Sequence, residues 1–150
     1  MSQSLSKLYV HIIFHVKNEK VVIHPKDEKE LYAYIGGVIK QNDSHPIQIN
    51  GIANHVHVLS TLSKNISLAN LVEEIKKNSS RWIKTKDNYY EKFAWQGGYA
   101  GYSVSQSKVA VVSNYILRQK EHHQNISFKE EYLKFLIEYG VIFDDKYLWK

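Results

Sequence analysis

The chain has 150 residues, which fits one domain over residues 1–150 that is long enough to bury a core. Its 20 lysines and arginines outnumber its 15 aspartates and glutamates, and this basic balance favours a polyanionic partner without requiring one. Cysteine is absent, which excludes disulfides and thiolate metal sites, and the lack of a signal peptide or a bilayer-spanning apolar run predicts a cytoplasmic protein.

The first half of the chain predicts a strand, a helix and a hairpin. Apolar residues alternate from Leu8 to Val16, which predicts a strand with His11 and His15 on one face. From Pro25 the apolar spacing becomes helical. A short strand around residues 47–49 and a second strand over residues 55–61 are separated by turn residues, so we expect these two strands to form a hairpin.

The second half predicts a helix, a strand and two further helices. Ser67 is the expected N-cap of the second helix, and a fourth strand runs through residues 102–105. Ser105 or Ser107 is expected to cap a third helix, and Ser127 opens the last helix, which stops at Gly140. The resulting β-α-β-β-α-β order predicts an α+β fold of the ferredoxin-like, split βαβ type. Its antiparallel sheet would carry two helices on one face and leave the other face for a site.

The most informative motif is His55-Val56-His57 on the predicted third strand. Strand alternation puts both imidazoles on one face of the sheet, which makes half of a metal site. A half-buried strand that carries histidines for packing is at least as common, so the pair alone does not distinguish a metal site from a structural role. The apolar neighbours Val58 and Leu59 indicate a dry setting, which disfavours protonated imidazoles.

Tyr115 and Gln119 lie four positions apart on the predicted third helix and therefore share one helical face. Together with the histidine pair, the phenol suggests phosphoryl transfer by a tyrosine. Two plainer interpretations stay open. A tyrosine beside an apolar stripe usually only packs there, and a glutamine on a helix is usually solvated.

These residues resemble the HUH single-tyrosine transposases of bacterial insertion sequences of the 200/605 type, over nearly the whole chain. His55-Val56-His57 corresponds to the family's His-hydrophobic-His motif, Tyr115 to its nucleophile and Gln119 to its third metal ligand. Residues 95–99, 103–105 and 119–123 also look like local patterns of the family.

The resemblance implies a Mg²⁺ or Mn²⁺ ion held by His55, His57 and Gln119. It also implies a covalent 5′-phosphotyrosine at Tyr115 and transfer of the strand to another 3′-hydroxyl, with no need for ATP. The implied substrate is single-stranded DNA with hairpin ends. The implied assembly is a homodimer in which the tyrosine helix can serve the partner's metal site, so sequence leaves action in cis or in trans open.

A further set of residues is predicted to bind DNA through positive charge or by stacking on bases: Lys76, Lys77, Arg81, Lys84, Lys86, Tyr99, Tyr102 and Arg118. The lysine run has an equally good interpretation as a solvated helix face. His122 and His123 are interpreted as surface or DNA-facing residues, and His11 and His15 as structural ones.

Other phosphate-transfer classes fit less well. Leu59 stands where a histidine-triad hydrolase needs its third histidine, and His57 is not followed by the Ser or Thr pattern of a two-histidine phosphoesterase. Replication initiators and relaxases are usually longer and often carry a second tyrosine. A domesticated relative that processes repetitive palindromes and a non-catalytic nucleic-acid-binding module both stay open, and the second predicts that Tyr115→Phe changes no activity.

Overall fold

The computed structural model describes residues 2–150, which form one antiparallel sheet and helices on both of its faces. The strands are β1 (Tyr9–His15), β2 (Pro46–Ile52), β3 (His55–Thr61) and β4 (Ala100–Val104). The α-helices are α1 (Pro25–Gln41), α2 (Leu68–Ile83), α3 (Val109–Leu117), α4 (Gln119–His122), α5 (Phe128–Glu138) and α6 (Asp145–Leu148). Single 3₁₀ turns span Asn88–Tyr90 and Gln106–Lys108.

The strands are ordered β2-β3-β1-β4, and each neighbouring pair is antiparallel. This topology confirms the predicted α+β, ferredoxin-like arrangement. The predicted hairpin is also confirmed, because β2 and β3 are joined by a tight turn at Ala53 and Asn54. In the register of the central strands, His55 lies opposite His15 and His57 opposite Ile13.

The two faces of the sheet have different chemistry because side chains alternate along β1 and β3. On one face, Val10, Ile12 and Phe14 pack with Val56 and Val58 in the main apolar core, against α1 and α2. The other face carries histidines together with smaller apolar clusters that pack against α3 and α5. The sheet face that was expected to be free for a functional site is therefore covered by the helices that follow β4.

Two predicted helix caps are confirmed, and one is wrong. Ser67 accepts a hydrogen bond from the Asn70 backbone N–H at 3.0 Å, and Ser127 accepts one from that of Glu130 at 3.2 Å. Neither Ser105 nor Ser107 caps α3, because a 3₁₀ turn intervenes and the helix begins only at Val109. None of the helices described in residues 2–150 is long and apolar enough to cross a membrane.

The third helix is shorter than expected. It ends at Leu117, and Arg118 leaves the helical conformation with φ −95° and ψ 20°. Gln119 therefore begins a separate short helix, α4, instead of continuing the turn that carries Tyr115. Gly140, with φ +65°, follows the end of α5, where only a residue tolerant of the left-handed region fits easily.

Candidate metal and nucleophile site

His55 and His57 lie next to each other on β3 and are fully buried, with ring centroids 5.1 Å apart. The β2–β3 hairpin holds them in place. A Cβ added to Gly51 of β2 would lie 2.1 Å from the His55 carbonyl oxygen, and Gly51 is paired with Val56. The absence of a side chain at Gly51 therefore lets the hairpin close beside the first histidine.

The neighbouring Asn54 fixes the tautomer of His55. Asn54 Nδ2 donates to Glu19 Oε1 at 3.2 Å, which leaves Asn54 Oδ1 to accept from His55 Nδ1 at 2.8 Å. A neutral His55 then carries a lone pair on Nε2. That lone pair faces two oxygen atoms, Gln119 Oε1 at 3.0 Å and Glu131 Oε1 at 3.4 Å.

His57 has partners at both ring nitrogens. Its Nδ1 lies 2.8 Å from Nε2 of the buried His11 on β1, and its Nε2 lies 2.9 Å from Glu131 Oε1. Either imidazole of the His11–His57 pair can donate to the other. His57 can therefore present Nε2 as an N–H to the carboxylate or as a lone pair to a cation. His11 thus contacts the site instead of serving only to pack the sheet.

The end of α3 is tied to the sheet, which sets the position of Tyr115. Asn50 of β2 donates from Nδ2 to the carbonyl oxygens of Ile116 and Leu117, at 3.0 Å in both cases. Carbonyl groups in the last turn of a helix have few partners within the helix, and Asn50 supplies an additional donor there. The side chain of Lys120 adds a contact from its Nζ to Asn50 Oδ1 at 3.2 Å.

Tyr115 and Gln119 meet the histidines of the same chain. The Tyr115 ring centroid lies 6.0 Å from that of His57, and the hydroxyl donates a hydrogen bond to Glu131 Oε2. Gln119 is fully buried, and its Nε2 donates to the same carboxylate oxygen at 2.9 Å. The structure therefore brings together all four residues predicted as nucleophile and metal ligands.

The centre of the cluster is a residue that the sequence analysis missed. Glu131 of α5 is 1% exposed, and its carboxylate contacts His57, Gln119 and Tyr115 at once. A sequence signal for this burial does exist. Glu131 occupies a position of the apolar stripe of its helix, which comprises Phe128, Tyr132, Phe135, Leu136 and Tyr139. A carboxylate in such a stripe is buried with partners.

His122 and His123, interpreted as surface residues, belong to the same cluster. His123 Nε2 lies 3.1 Å from Gln119 Oε1 and 3.2 Å from Glu131 Oε1. The His122 ring stacks on Tyr115 with centroids 4.5 Å apart. The surface interpretation of His123 is wrong, because its side chain is 4% exposed and it lies four positions after Gln119 on the same helical face.

Burial and hydrogen bonding shift the pKa values of these groups in different directions. Burial lowers the pKa of His55 to about 4, so this imidazole is neutral at pH 7. Burial would raise the pKa of Glu131, but its hydrogen bonds with the surrounding histidines, that of His123 first, hold it well below the usual range of a carboxyl. Burial and the Glu131 carboxylate raise the pKa of the Tyr115 phenol. The neutral His55 imidazole therefore lies beside an ionised carboxylate and a protonated phenol.

These residues fit a divalent cation. His55, His57 and Glu131 offer ligand atoms that all lie within 4.8 Å of one another. The His55 lone pair facing the oxygens of Gln119 and Glu131 is unfavourable unless positive charge lies between them, and a cation supplies that charge. Imidazole nitrogens combined with carboxylate and amide oxygens suit several divalent metals, so the donor set does not select one.

The predicted basic residues of α2 and of the segment directly after it belong to the far side of the sheet from this cluster, because α2 packs on the opposite face. Lys76 is half-buried and donates to the carbonyl oxygens of Gln96 at 2.6 Å and Gly98 at 2.9 Å, so it holds a loop. Two others are in surface ion pairs, Lys77 with Glu74 at 3.2 Å and Lys86 with Glu30 at 2.6 Å. Arg81 and Lys84 are exposed.

Of the remaining residues predicted to contact DNA, one is buried and two are exposed. Tyr102 is 4% exposed and stacks on Phe135 and Tyr139 with centroid distances of 5.5 and 4.4 Å. Its ring cannot stack on a base in this structure, because α5 covers that face of β4. Tyr99 is 37% exposed beside Lys76, and Arg118 is exposed at the α3–α4 junction, three residues after Tyr115.

A family model described as IS200-like transposase matches residues 4–119, and no curated protein matches the chain. A crystal structure described as a transposase from Deinococcus radiodurans R1 has a TM-score of 0.60 at 20% identity, over 79% of this chain and 98% of that one. A REP-associated tyrosine transposase bound to a REP hairpin also has a TM-score of 0.60, at 15% identity, over 84% of this chain and 76% of that one. These two likenesses confirm the fold. The residues matched by the family model include the histidine pair, Tyr115 and Gln119, whereas Glu131 lies beyond them. The chain belongs to the family of IS200-like transposases.

Proposed function

We propose that this transposase cleaves and rejoins single-stranded DNA through a covalent 5′-phosphotyrosine at Tyr115. The observation that carries the proposal is the convergence of Tyr115, His55, His57 and Gln119 on one buried carboxylate. A tyrosine hydroxyl beside a set of metal-ligating groups is the arrangement that phosphoryl transfer by a protein nucleophile needs.

In the proposed reaction, the Tyr115 oxygen attacks the scissile phosphorus. The new O–P bond replaces the bond to the 3′-oxygen of the upstream strand, which leaves as a 3′-hydroxyl after taking up a proton. Glu131 accepts the hydrogen bond of the Tyr115 hydroxyl and so orients it for the attack, and the phenolic proton is released to solvent water. Rejoining is the reverse attack by another 3′-hydroxyl, and the number of phosphodiester-type bonds is conserved.

His55, His57 and Gln119 would hold Mg²⁺ or Mn²⁺ with Glu131 as a further oxygen ligand. A bound divalent cation supplies positive charge that polarises the scissile phosphate and favours the phenolate form of tyrosine. The protein's own part is to keep His55 neutral by burial and to orient His57 through His11.

We further propose that the substrate carries hairpin ends and that the active protein is a cytoplasmic homodimer. The shared fold with a REP-associated tyrosine transposase bound to a REP hairpin supports a structured DNA partner. Exposed Arg118, Arg81 and Lys84 supply positive charge for a phosphate backbone. Exposed apolar residues such as Leu117, Ile137 and Ile142 provide surface for a second copy, and light scattering of the purified protein tests for it.

The test is incubation of the protein with labelled single-stranded oligonucleotides that cover the DNA on both sides of its gene. Reactions contain Mn²⁺, Mg²⁺ or EDTA and are resolved on a denaturing gel. We expect a metal-dependent covalent protein–DNA band with the wild type and with Tyr147→Phe, which alters an exposed tyrosine elsewhere, and no band with Tyr115→Phe.

Two results would contradict the proposal. Binding without an adduct in either metal would favour a non-catalytic nucleic-acid-binding module. An adduct that persists in Tyr115→Phe would assign the nucleophile to another residue. Cleavage of dispersed palindromes in the absence of strand transfer would instead favour a domesticated, palindrome-processing relative.

A further inference from the structure

A groove of about 510 Å³ runs between α3 and α5 and reaches Tyr115. Lys108 and Tyr115 line its α3 side, Lys134 and Tyr139 line its α5 side, and His11 also contributes to its wall. The volume is within the range of about 300–1,000 Å³ that small-ligand pockets have. The groove therefore offers a ligand-sized space directly beside the proposed nucleophile.

The charge of the groove suits an anion. Lys108 and Lys134 are both exposed, and neither has a carboxylate within 4.0 Å among residues 2–150. In contrast, Lys77, Lys86 and Lys120 elsewhere on the surface are each in an ion pair. The one acidic residue that lines the groove is Glu138, so the two ammonium groups outnumber it.

The groove also presents an aromatic surface. Tyr139 stacks on the buried Tyr102 ring with centroids 4.4 Å apart and an interplanar angle of 26°. Tyr139 nevertheless remains 45% exposed, so a large part of its ring is open to a ligand. The support from Tyr102 fixes its orientation, which lowers the entropy lost when a second ring stacks on it.

We propose that the α3–α5 groove binds the nucleotide next to the scissile phosphate of single-stranded DNA. The base stacks on Tyr139, and the adjoining backbone phosphate is contacted by Lys108 and Lys134. This inference rests on the proposed function, because it takes Tyr115 as the nucleophile. It assigns substrate-positioning roles to three residues that the sequence analysis did not select for DNA binding.

The first test measures fluorescence anisotropy of a short fluorescein-labelled oligothymidylate and of an abasic deoxyribose-phosphate oligomer of equal length. All proteins carry Tyr115→Phe, so binding is measured without reaction. Tyr139→Leu retains an apolar contact with Tyr102 but removes the aromatic face. We expect it to weaken oligothymidylate binding by about ten-fold, with little effect on the abasic oligomer.

Matched variants separate stacking from charge and from folding. Tyr139→Phe should bind as tightly as the parent, and so should Tyr147→Ala, which changes an exposed tyrosine of α6. Lys134→Gln should weaken both oligomers and reduce the slope of log affinity against log salt by about 0.7. Equal oligothymidylate affinity for Tyr139→Leu and its parent, with all variants folded by circular dichroism, would overturn the proposal.

A second test locates the contact. An oligonucleotide with 5-iodouracil next to the cleavage position is irradiated with the protein, and the crosslinked peptide is identified by mass spectrometry. A crosslink at Tyr139 supports the groove, and crosslinks confined to α2 or Tyr99 would overturn it.

The two proposals fail in different ways. Wild-type adduct formation with unchanged binding by Tyr139→Leu would refute the groove and leave the nucleophile intact. Tyr139-dependent binding and crosslinking without any adduct would refute the transferase mechanism and retain the groove as a single-strand binding surface.

Discussion

Gly51→Ala should be among the most damaging single-methyl additions in this chain. The added Cβ would lie 2.1 Å from the His55 carbonyl oxygen and 3.0 Å from both the His55 carbonyl carbon and the Val56 Cα. All three are backbone atoms of β3, so no side chain can rotate away to make room. The strands must instead separate at the point where the hairpin holds His55.

The size of the effect follows from this geometry. Reaching a contact of 3.4 Å requires about 1.3 Å of additional separation. Such a shift weakens the β2–β3 hydrogen bonds beside the turn and moves His55 relative to Gln119 and Glu131, which lie 3.0 and 3.4 Å away. We expect a loss of about 3 kcal/mol in the free energy of unfolding and weaker Mn²⁺ binding.

The assay is urea unfolding at neutral pH with EDTA, followed by titration of the folded protein with Mn²⁺ monitored by electron paramagnetic resonance. Gly37→Ala is the matched control, because nothing lies within 4 Å of a Cβ added there in α1. That change should stabilise the helix by about 0.5–1 kcal/mol. Wild-type stability and Mn²⁺ affinity in Gly51→Ala would refute the hairpin argument.

Three further predictions concern buried polar groups. Glu131→Gln should reduce Mn²⁺ affinity in the same titration by at least about ten-fold. The control Glu130→Gln, which changes an exposed residue, should leave that affinity unchanged. Equal Mn²⁺ affinity for Glu131→Gln and the wild type would show that Glu131 is not a metal ligand. Because the pKa of His55 falls to about 4 on folding, the unfolded chain binds its proton at a higher pH than the native protein does. In EDTA, the free energy of unfolding should therefore fall as pH drops from about 6.5 to about 4, and His55 should account for up to about 3 kcal/mol of this fall. The same pH profile in His55→Gln would show that the fall does not come from His55. The Tyr102 hydroxyl is buried with no hydrogen-bond partner among residues 2–150. Tyr102→Phe should therefore leave thermal stability unchanged or raise it. A decrease of more than about 1 kcal/mol in the free energy of unfolding would show that the hydroxyl has a partner.

Local patterns were sufficient to predict the fold and half of the site. Strand alternation places His55 and His57 on one face whatever the rest of the chain does, and the hairpin follows from the turn residues between the two apolar runs. The β-α-β-β-α-β order then leaves few topologies, and the observed sheet order is the ferredoxin-like one. These features depend on residues that are close in sequence.

Glu131 could not be assigned in the same way, because its partners come from β3, α3 and α4 through tertiary packing. The sequence shows only that a carboxylate occupies a position of the apolar stripe of its helix. That position indicates that Glu131 is buried, but it does not indicate which residues contact it. His123 was misinterpreted despite a local signal. His123 follows Gln119 by four positions, so helical spacing alone places the two side chains on one face, and they are in contact in the structure.

Tyr102 shows where alternation should have been weighed more strongly. Ala100, Tyr102 and Val104 are the inward residues of β4, with Gly101 and Ser103 exposed between them. That pattern alone indicates that the Tyr102 ring is buried. The prediction that Tyr102 stacks on bases needs an exposed ring, and the structure corrects it by packing α5 over the strand.

The proposed reaction links Tyr115 covalently to a 5′-phosphate. Its most direct test is mass spectrometry of the protein after reaction with single-stranded DNA and Mn²⁺, exhaustive nuclease digestion and proteolysis. We expect the peptide containing Tyr115 to carry one 5′-linked nucleotide, and the released strand to end in a 3′-hydroxyl that a polymerase extends. A nucleotide on any other residue, or a 3′-phosphate on the tyrosine, would contradict it.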